Sequence, residues 1–284
     1  MAVAATDLKA QAVACWSAEP CGMRTADGVP GTRAYFDSLL EGRHRYAPWM
    51  VEALDHEGSR GLDVLDVGCG QGIDLARFAA AGARATGIDL TPRHVELART
   101  HLAAMGLAGD VVEGDAEGLP FGDASFDRVS SNGVLHHTPD LDRALAEILR
   151  VLRPGGELRL IVYNKRSLYY WITEVIGHGI VQGRLFREGW DMSRVMSYEE
   201  KGSRPGARPL VVVHTPAQLQ ARLERNGFEQ VDVTVRHFRF DDLPFTKPVA
   251  RLKPQWEHSP AMDWIGRKLG WYVAAVARRP AGDP

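Results

Sequence analysis

The chain of 284 residues has little cysteine, no charge excess of either sign and no long apolar run. Its three cysteines, Cys15, Cys21 and Cys69, are too few and odd in number for a disulfide framework, which points to a reducing, cytoplasmic setting. No stretch approaches the roughly 18 uncharged apolar residues of a spanning helix, so no membrane span is expected. The N-terminal sequence is not read as a secretory leader, because Asp7 and Lys9 interrupt its apolar part and no basic segment precedes it. Lys and Arg number 34 against 36 Asp and Glu, a net charge of −2, which argues against a protein held on a nucleic-acid backbone. Internal repeats and low-complexity blocks are missing as well. With 45% hydrophobic and 25% charged residues, an ordinary folded α/β mixture remains.

Within that mixture, short apolar runs alternate with helical patterns. Leu62–Val67, Arg84–Ile88, Asp110–Gly114, Phe126–Asn132 and Leu158–Tyr163 read as strands. Helices are expected over Ile73–Ala81, after Thr91-Pro92, after Thr138-Pro139, and after the capping box Thr215-Pro216-Ala217-Gln218. Pro154-Gly155-Gly156 reads as a turn; Phe228–Phe238 and Trp271–Ala277 read as two late strands. Strands and helices taking turns imply a parallel sheet covered on both faces. Residues 1–60 read as an N-terminal helical cap, loosely structured early on, and 61–164 as the core. Residues 165–210 form one insertion, read as a wall of an acceptor pocket or as a homodimer contact. Residues 211–284 return to the core around a second insertion, 241–270.

The densest chemical signal is Val64-Leu65-Asp66-Val67-Gly68-Cys69-Gly70-Gln71-Gly72. A strand entering Gly-x-Gly-x-Gly lets a ligand approach bare backbone. The third glycine comes one position too early for a dinucleotide fingerprint, and no Gly-Lys-Ser/Thr follows as a phosphate loop requires. Asp66 at the strand end would repel a pyrophosphate and attract an ammonium group. Asp89 ends the second strand, where a carboxylate accepts from ribose hydroxyls. Asp115 follows the third, where a carboxylate accepts from a base amine. Ammonium, ribose and adenine together make up S-adenosyl-L-methionine. Cys69 reads as a small buried side chain beside the loop.

Five motifs then carry a family resemblance: the glycine loop, Gly87-Ile88-Asp89-Leu90, Gly114-Asp115-Ala116-Glu117 through Phe121, Asn132 through His136-His137 to Asp140, and Arg150 to Gly156. Residues 62–163, about a third of the chain, resemble a class I S-adenosylmethionine-dependent methyltransferase of the type 11, ubiquinone/menaquinone-biosynthesis-like group. The resemblance implies a Rossmann-like, doubly wound sheet of seven strands, the last antiparallel. It also implies that the glycine loop (Gly68, Cys69, Gly70, Gly72) and Asp66 hold the methionine part, Asp89 the ribose, and Asp115 with Ala116 the adenine. Leu90, Asn132 and His137 lie in the same motifs and are taken into the cofactor's surroundings.

The acceptor is expected near the end of the fourth strand. In phosphoethanolamine methyltransferases, which resemble this stretch, the residue matching His136 is catalytic and is paired with an N-terminal tyrosine. His136 is therefore the expected base, with Tyr35 or Tyr46 as partner. Arg43, Tyr163, Tyr169 and Tyr170 are expected to bind the acceptor, a small and apolar or aromatic molecule, with the cofactor's carboxylate as the other role open to Arg43. The alternatives are an RNA or protein methyltransferase, or a silent cofactor-binding partner subunit. No metal-ligand spacing is found.

Overall fold

The structure is a computed structural model describing residues 5–23, 26–200, 203–239, 243 and 259–282. Three helices precede the sheet: α1 (Ala5–Ala18), α2 (Arg33–Tyr46) and α3 (Trp49–Leu54). The expected alternation follows as β1 (Asp63–Val67), α4 (Ile73–Ala80), β2 (Arg84–Asp89), α5 (Pro92–Met105), β3 (Asp110–Glu113), β4 (Phe126–Asn132), α6 (Leu141–Val151) and β5 (Leu152–Tyr163). A π-helix, Tyr169–Val181, and two short helices, α7 (Arg184–Arg187) and α8 (Met192–Met196), fill the first insertion. The chain closes with α9 (Pro216–Arg225), β6 (Glu229–Arg236), α10 (Pro260–Leu269) and β7 (Tyr272–Arg278).

The strands form one sheet ordered β3-β2-β1-β4-β5-β7-β6. Pairing is parallel from β3 to β5, and β7 runs antiparallel to both its neighbours. From β1 the chain moves outward to β3 and then returns to β4 on the other side. This reversal opens a crevice at the C-terminal ends of β1 and β4, where α/β sheets bind ligands.

Apolar side chains pack on both faces of the sheet. Val67, Val129, Leu145, Ile148, Leu219 and Leu223 pack on the face of α6 and α9. Val64, Leu75, Phe78, Ala98 and Leu102 pack on the face of α4 and α5. Each wholly buried leucine or isoleucine contributes about 1.5–3 kcal/mol. The site thus rests on a rigid base.

Several local expectations are corrected. Residues 5–18 are helical rather than loose, because Ala12 and Cys15 find a buried surface to pack on. The α6 helix starts at Asp140, whose carboxylate accepts from Arg143 N, and not at Thr138-Pro139. The Thr138 hydroxyl instead donates to Glu117 Oε1 at 2.6 Å. Thr91 precedes α5 without a side-chain cap; its N–H is taken by Asp89 Oδ1 at 2.8 Å. Pro154-Gly155-Gly156 lies inside β5 as an irregularity, where pairing with β4 shifts between Phe126 and Arg128. The Thr215–Gln218 capping box forms as expected. Of the second insertion, Pro244, Pro248, Pro254 and Trp256 lie outside the described residues. Among the described residues, no helix is long and apolar enough to cross a membrane.

Candidate functional site

One cleft at the β1/β4 crevice gathers Asp66, Gly68, Cys69, Gly70, Asp89, Leu90, Asp115, Ala116, Asn132 and His137 in its wall. The glycine loop shapes its floor. Gly68 has φ +73°, and a Cβ there would meet the Val134 side chain at 2.4 Å. Around a Cβ at Gly70 (φ +55°) there is open space, so bare backbone faces the cleft. Gly72 stands just behind the wall, where it starts α4 with φ +78° and its place for a Cβ lies 3.2 Å from Ala98. The N–H groups of Gly68 and Cys69 both donate to Ile88 O, at 2.7 and 3.1 Å, tying the loop to β2. Cys69 is 7% exposed, and burial pushes its thiol well up, so it packs and does not act as a nucleophile.

The carboxylates are wired into this backbone. Asp89 Oδ2 accepts from Gly70 N at 2.9 Å, and its Oδ1 from Thr91 N and His94 Nδ1 at 2.8 and 3.2 Å. Burial alone would raise its pKa; the bond from His94 and the two N–H groups hold it below the ordinary value, so it is ionised at neutral pH. Asp115 receives Glu117 N at 2.9 Å and, from across the cleft, Lys9 Nζ at 2.6 Å. Lys9 also reaches Glu117 Oε2 at 2.5 Å. Burial would lower the Lys9 pKa, and the two carboxylates raise it above normal.

At the other end lies a buried charge cluster. Asp66 and Asp74 are 3% and 7% exposed. Burial, then Asp74 and Asp89, drive the Asp66 pKa well up. Asp74 is equally buried, but His56, Arg43 and Asn132 hold its pKa down; Asn132 Nδ2 donates to it at 2.9 Å. Arg43, on α2, joins the cleft wall here, its Nη1 3.3 Å from Met50 Sδ. A cation and a carboxylate side by side suit the two ends of an amino acid.

The expected catalytic trio is not assembled. His136 is wholly buried outside the cleft wall, its ring 3.9 Å from that of Tyr163, with neither ring nitrogen hydrogen-bonded among the described residues. Burial, then His137 and His214, push its pKa well down. Tyr35 is committed elsewhere, its hydroxyl donating to Gln71 Oε1 at 2.7 Å. The Tyr46 hydroxyl lies 3.1 Å from that of Tyr272. Tyr163 and Tyr169 pack on Trp271, at 4.4 and 4.7 Å between ring centroids, and Tyr170 on Trp171. These three tyrosines also lie outside the cleft wall. Sequence adjacency put two histidines at one strand end without saying which one lines the cleft, and the structure does not bring His136 together with Tyr35 or Tyr46.

His137 is the one that joins the wall. Its Nδ1 lies 2.6 Å from Leu210 O, so Nδ1 carries the proton and Nε2 keeps a lone pair. Burial holds its pKa down at about 4, and the ring is neutral at neutral pH. Trp16 meets its ring edge-on at 5.5 Å. Lys9, Trp16, Asp74 and His94 also line the cleft and were not singled out from the sequence. The spacing of Lys9, Ala12 and Trp16, three then four residues, marks one face of a helix and was the available signal. Among the described residues, no group of three or more His, Cys, Asp or Glu is placed to hold a metal ion.

Comparison with known proteins agrees with this geometry. A family profile described as "Methyltransferase domain" matches residues 65–160. The "Ubiquinone biosynthesis O-methyltransferase" of Chromobacterium violaceum is 30% identical over 171 residues, 58% of this chain and 72% of that protein. The chain belongs to the S-adenosylmethionine-dependent methyltransferase family. Members of this family use S-adenosyl-L-methionine. The protein of the same name from Methylocella silvestris is 35% identical over 158 residues, 56% of this chain and 58% of that protein. "Methyltransferase GfsG" of Streptomyces halstedii is 39% identical over 127 residues, 44% of this chain and 45% of the relative. The chain therefore spans about half the length of several curated relatives. Two solved structures share the fold. The first is a complex of the Haloferax volcanii Trm112 methyltransferase activator and a methyltransferase (TM-score 0.58, 19% identity, 94% of this chain and 97% of that one). The second is the [4+2]-cyclase SpnF (TM-score 0.55, 22% identity, 97% and 94%).

Proposed function

We propose that the protein transfers a methyl group from S-adenosyl-L-methionine to a hydroxyl of a small, apolar or aromatic acceptor. The observation that carries this reading is the order of groups along one cleft. A buried Asp66 beside Arg43 stands at one end, the ionised Asp89 in the middle, and Asp115 with Ala116 at the other. In this reading Arg43 takes the cofactor's carboxylate, Asp66 and the bare loop backbone its amino group, Asp89 the ribose and Asp115 the adenine amine. Of the two roles open to Arg43, this reading takes the cofactor's carboxylate.

When bound, the cofactor supplies an electrophilic methyl group on a charged sulfur. The chain's own contribution is positioning and exclusion of water, which lower such a barrier substantially. α1 covers the cleft with Lys9, Ala12 and Trp16. His137, with its proton held on Nδ1 by Leu210 O, offers Nε2 to accept the hydroxyl proton. Relatives named as ubiquinone-biosynthesis O-methyltransferases support an oxygen acceptor, here read as a hydroxyl.

Titration calorimetry with S-adenosylmethionine and S-adenosylhomocysteine tests the cofactor assignment, and absence of binding by both would defeat it. Transfer of labelled methyl to a panel of phenols, aliphatic alcohols and amines tests the acceptor class. Turnover on amines alone would reject the hydroxyl.

A further inference from the structure

A second cavity, of about 300 Å³, opens between the end of α2, the start of α3, the end of β6 and α10. Because β6 pairs antiparallel with β7 and β7 antiparallel with β5, β6 ends at the same sheet edge as the cofactor cleft. The two sites are separated by an aromatic partition. On α2, Arg43 lines the cleft and Tyr46, nearly one turn later, lines the cavity. Tyr46 and Tyr272 meet through their hydroxyls at 3.1 Å, and Trp49 packs on Tyr272 at 5.7 Å between ring centroids.

The cavity wall is cationic. Arg45, Arg236 and Arg239 line it, against one described carboxylate, Asp263, which is already bonded to Arg267 Nε at 2.7 Å. It is also aromatic, with Tyr46, Trp49 and His237, and the Arg239 guanidinium lies 5.7 Å from the centre of the Tyr46 ring.

His237 adds a directed donor. Trp49 Nε1 is 3.2 Å from His237 Nδ1. An indole nitrogen only donates, so Nδ1 must present its lone pair and the neutral ring carries its proton on Nε2. Among the described residues that Nε2–H has no hydrogen-bond partner, although His237 is only 8% exposed. Burial and then the Arg239 charge hold the ring's pKa down at about 3, so it stays neutral. The residue is also kept in the left-handed region, with φ +74°. A strained histidine with an unanswered buried N–H, set among guanidiniums, matches an acceptor-rich, negatively charged partner.

We propose that this cavity is a second ligand site, which binds the oxyanion, carboxylate or phosphate, of a small molecule carrying a flat ring. The guanidiniums of Arg45 and Arg236 face the oxyanion, His237 Nε2–H donates to the ligand, and Tyr46 and Trp49 flank the ring. The site does not depend on the methyl-transfer reading, since its residues lie outside the cofactor cleft.

Saturation-transfer NMR on the full chain, with benzoate, phenyl phosphate, the neutral isostere benzamide and inorganic phosphate as probes, tests it. Benzoate, phenyl phosphate or both bind saturably, benzamide at least tenfold more weakly, and inorganic phosphate more weakly than phenyl phosphate. Which of the two ring-bearing anions binds more tightly identifies the oxyanion. Arg45→Gln, on an exposed side chain, and Arg236→Gln each weaken the anion several-fold and leave the affinity for S-adenosylhomocysteine unchanged. His237→Phe weakens it too; if that variant does not fold, the two arginine variants carry the test. Absence of saturable binding by both ring-bearing anions, equal binding of benzamide, or undiminished binding by both arginine variants would overturn the proposal.

Discussion

Lowering the pH from 7 to 5 should strip the fold of a large part of its stability through its buried histidines. His137 and His214 are held at about 4, chiefly by burial, and His237 at about 3. His136 lies well below the ordinary value for the same reason. A histidine whose folded pKa is depressed binds a proton on unfolding. Its contribution is complete above the unfolded value of about 6.5 and drains away as the pH falls toward the folded value. At pH 5, each of His137, His214 and His237 has given up about 2 kcal/mol relative to pH 7. Asp66 and His178, both raised, act in the opposite sense and return part of this. The three losses come to about 6 kcal/mol before that return, against a total stability of about 5–15 kcal/mol for a typical protein. Urea titrations followed by tryptophan fluorescence should show the midpoint falling by roughly 1 M between pH 7 and pH 5. His214→Gln should remove about 2 kcal/mol of that pH dependence. A midpoint that stays put across this range would refute the reasoning, because it would mean these rings protonate in place.

Three further outcomes concern the cleft. Asp89→Ala should weaken S-adenosylhomocysteine binding by roughly tenfold through lost charge-assisted hydrogen bonds, and also loosen Gly70; unchanged affinity by calorimetry removes the ribose assignment. Arg43→Gln should weaken S-adenosylhomocysteine by a similar factor but spare methylthioadenosine, which lacks the amino-acid part. Equal losses for both nucleosides would take Arg43 away from the carboxylate. Gly68→Ala forces a side chain into φ +73° and against Val134, and should cost about 2–4 kcal/mol in a denaturant melt, part of it recovered by adding Val134→Ala. A melt like that of the unaltered protein would show that the loop is not held as described.

Where chemistry follows from the backbone, the sequence was sufficient. Glycines at 68, 70 and 72 and carboxylates at strand ends mark where the cleft opens, because a strand end and the first turn of a helix are local objects. The alternation of strand and helix settled the sheet in the same way, down to Phe126–Asn132 as a strand. The exceptions to the expected caps have one physical origin. Thr91 and Thr138 are good caps by type, but carboxylates engage both residues: Asp89, two residues upstream, takes the Thr91 N–H, and Glu117, from the loop after β3, takes the Thr138 hydroxyl. Tertiary structure alone decided the rest. Lys9 meets Asp115 across 106 residues, and Arg43 joins Asp66 in one cleft wall through the placing of α2, which packs on α5. His136 and His137 pack ring on ring at 4.1 Å and both meet Tyr163, yet only His137 reaches the cleft wall, a difference that one step along the chain makes and residue type does not show. Residue type and spacing determine which groups the chain carries; which of them share a cavity depends on how elements far apart in sequence bury their apolar faces together.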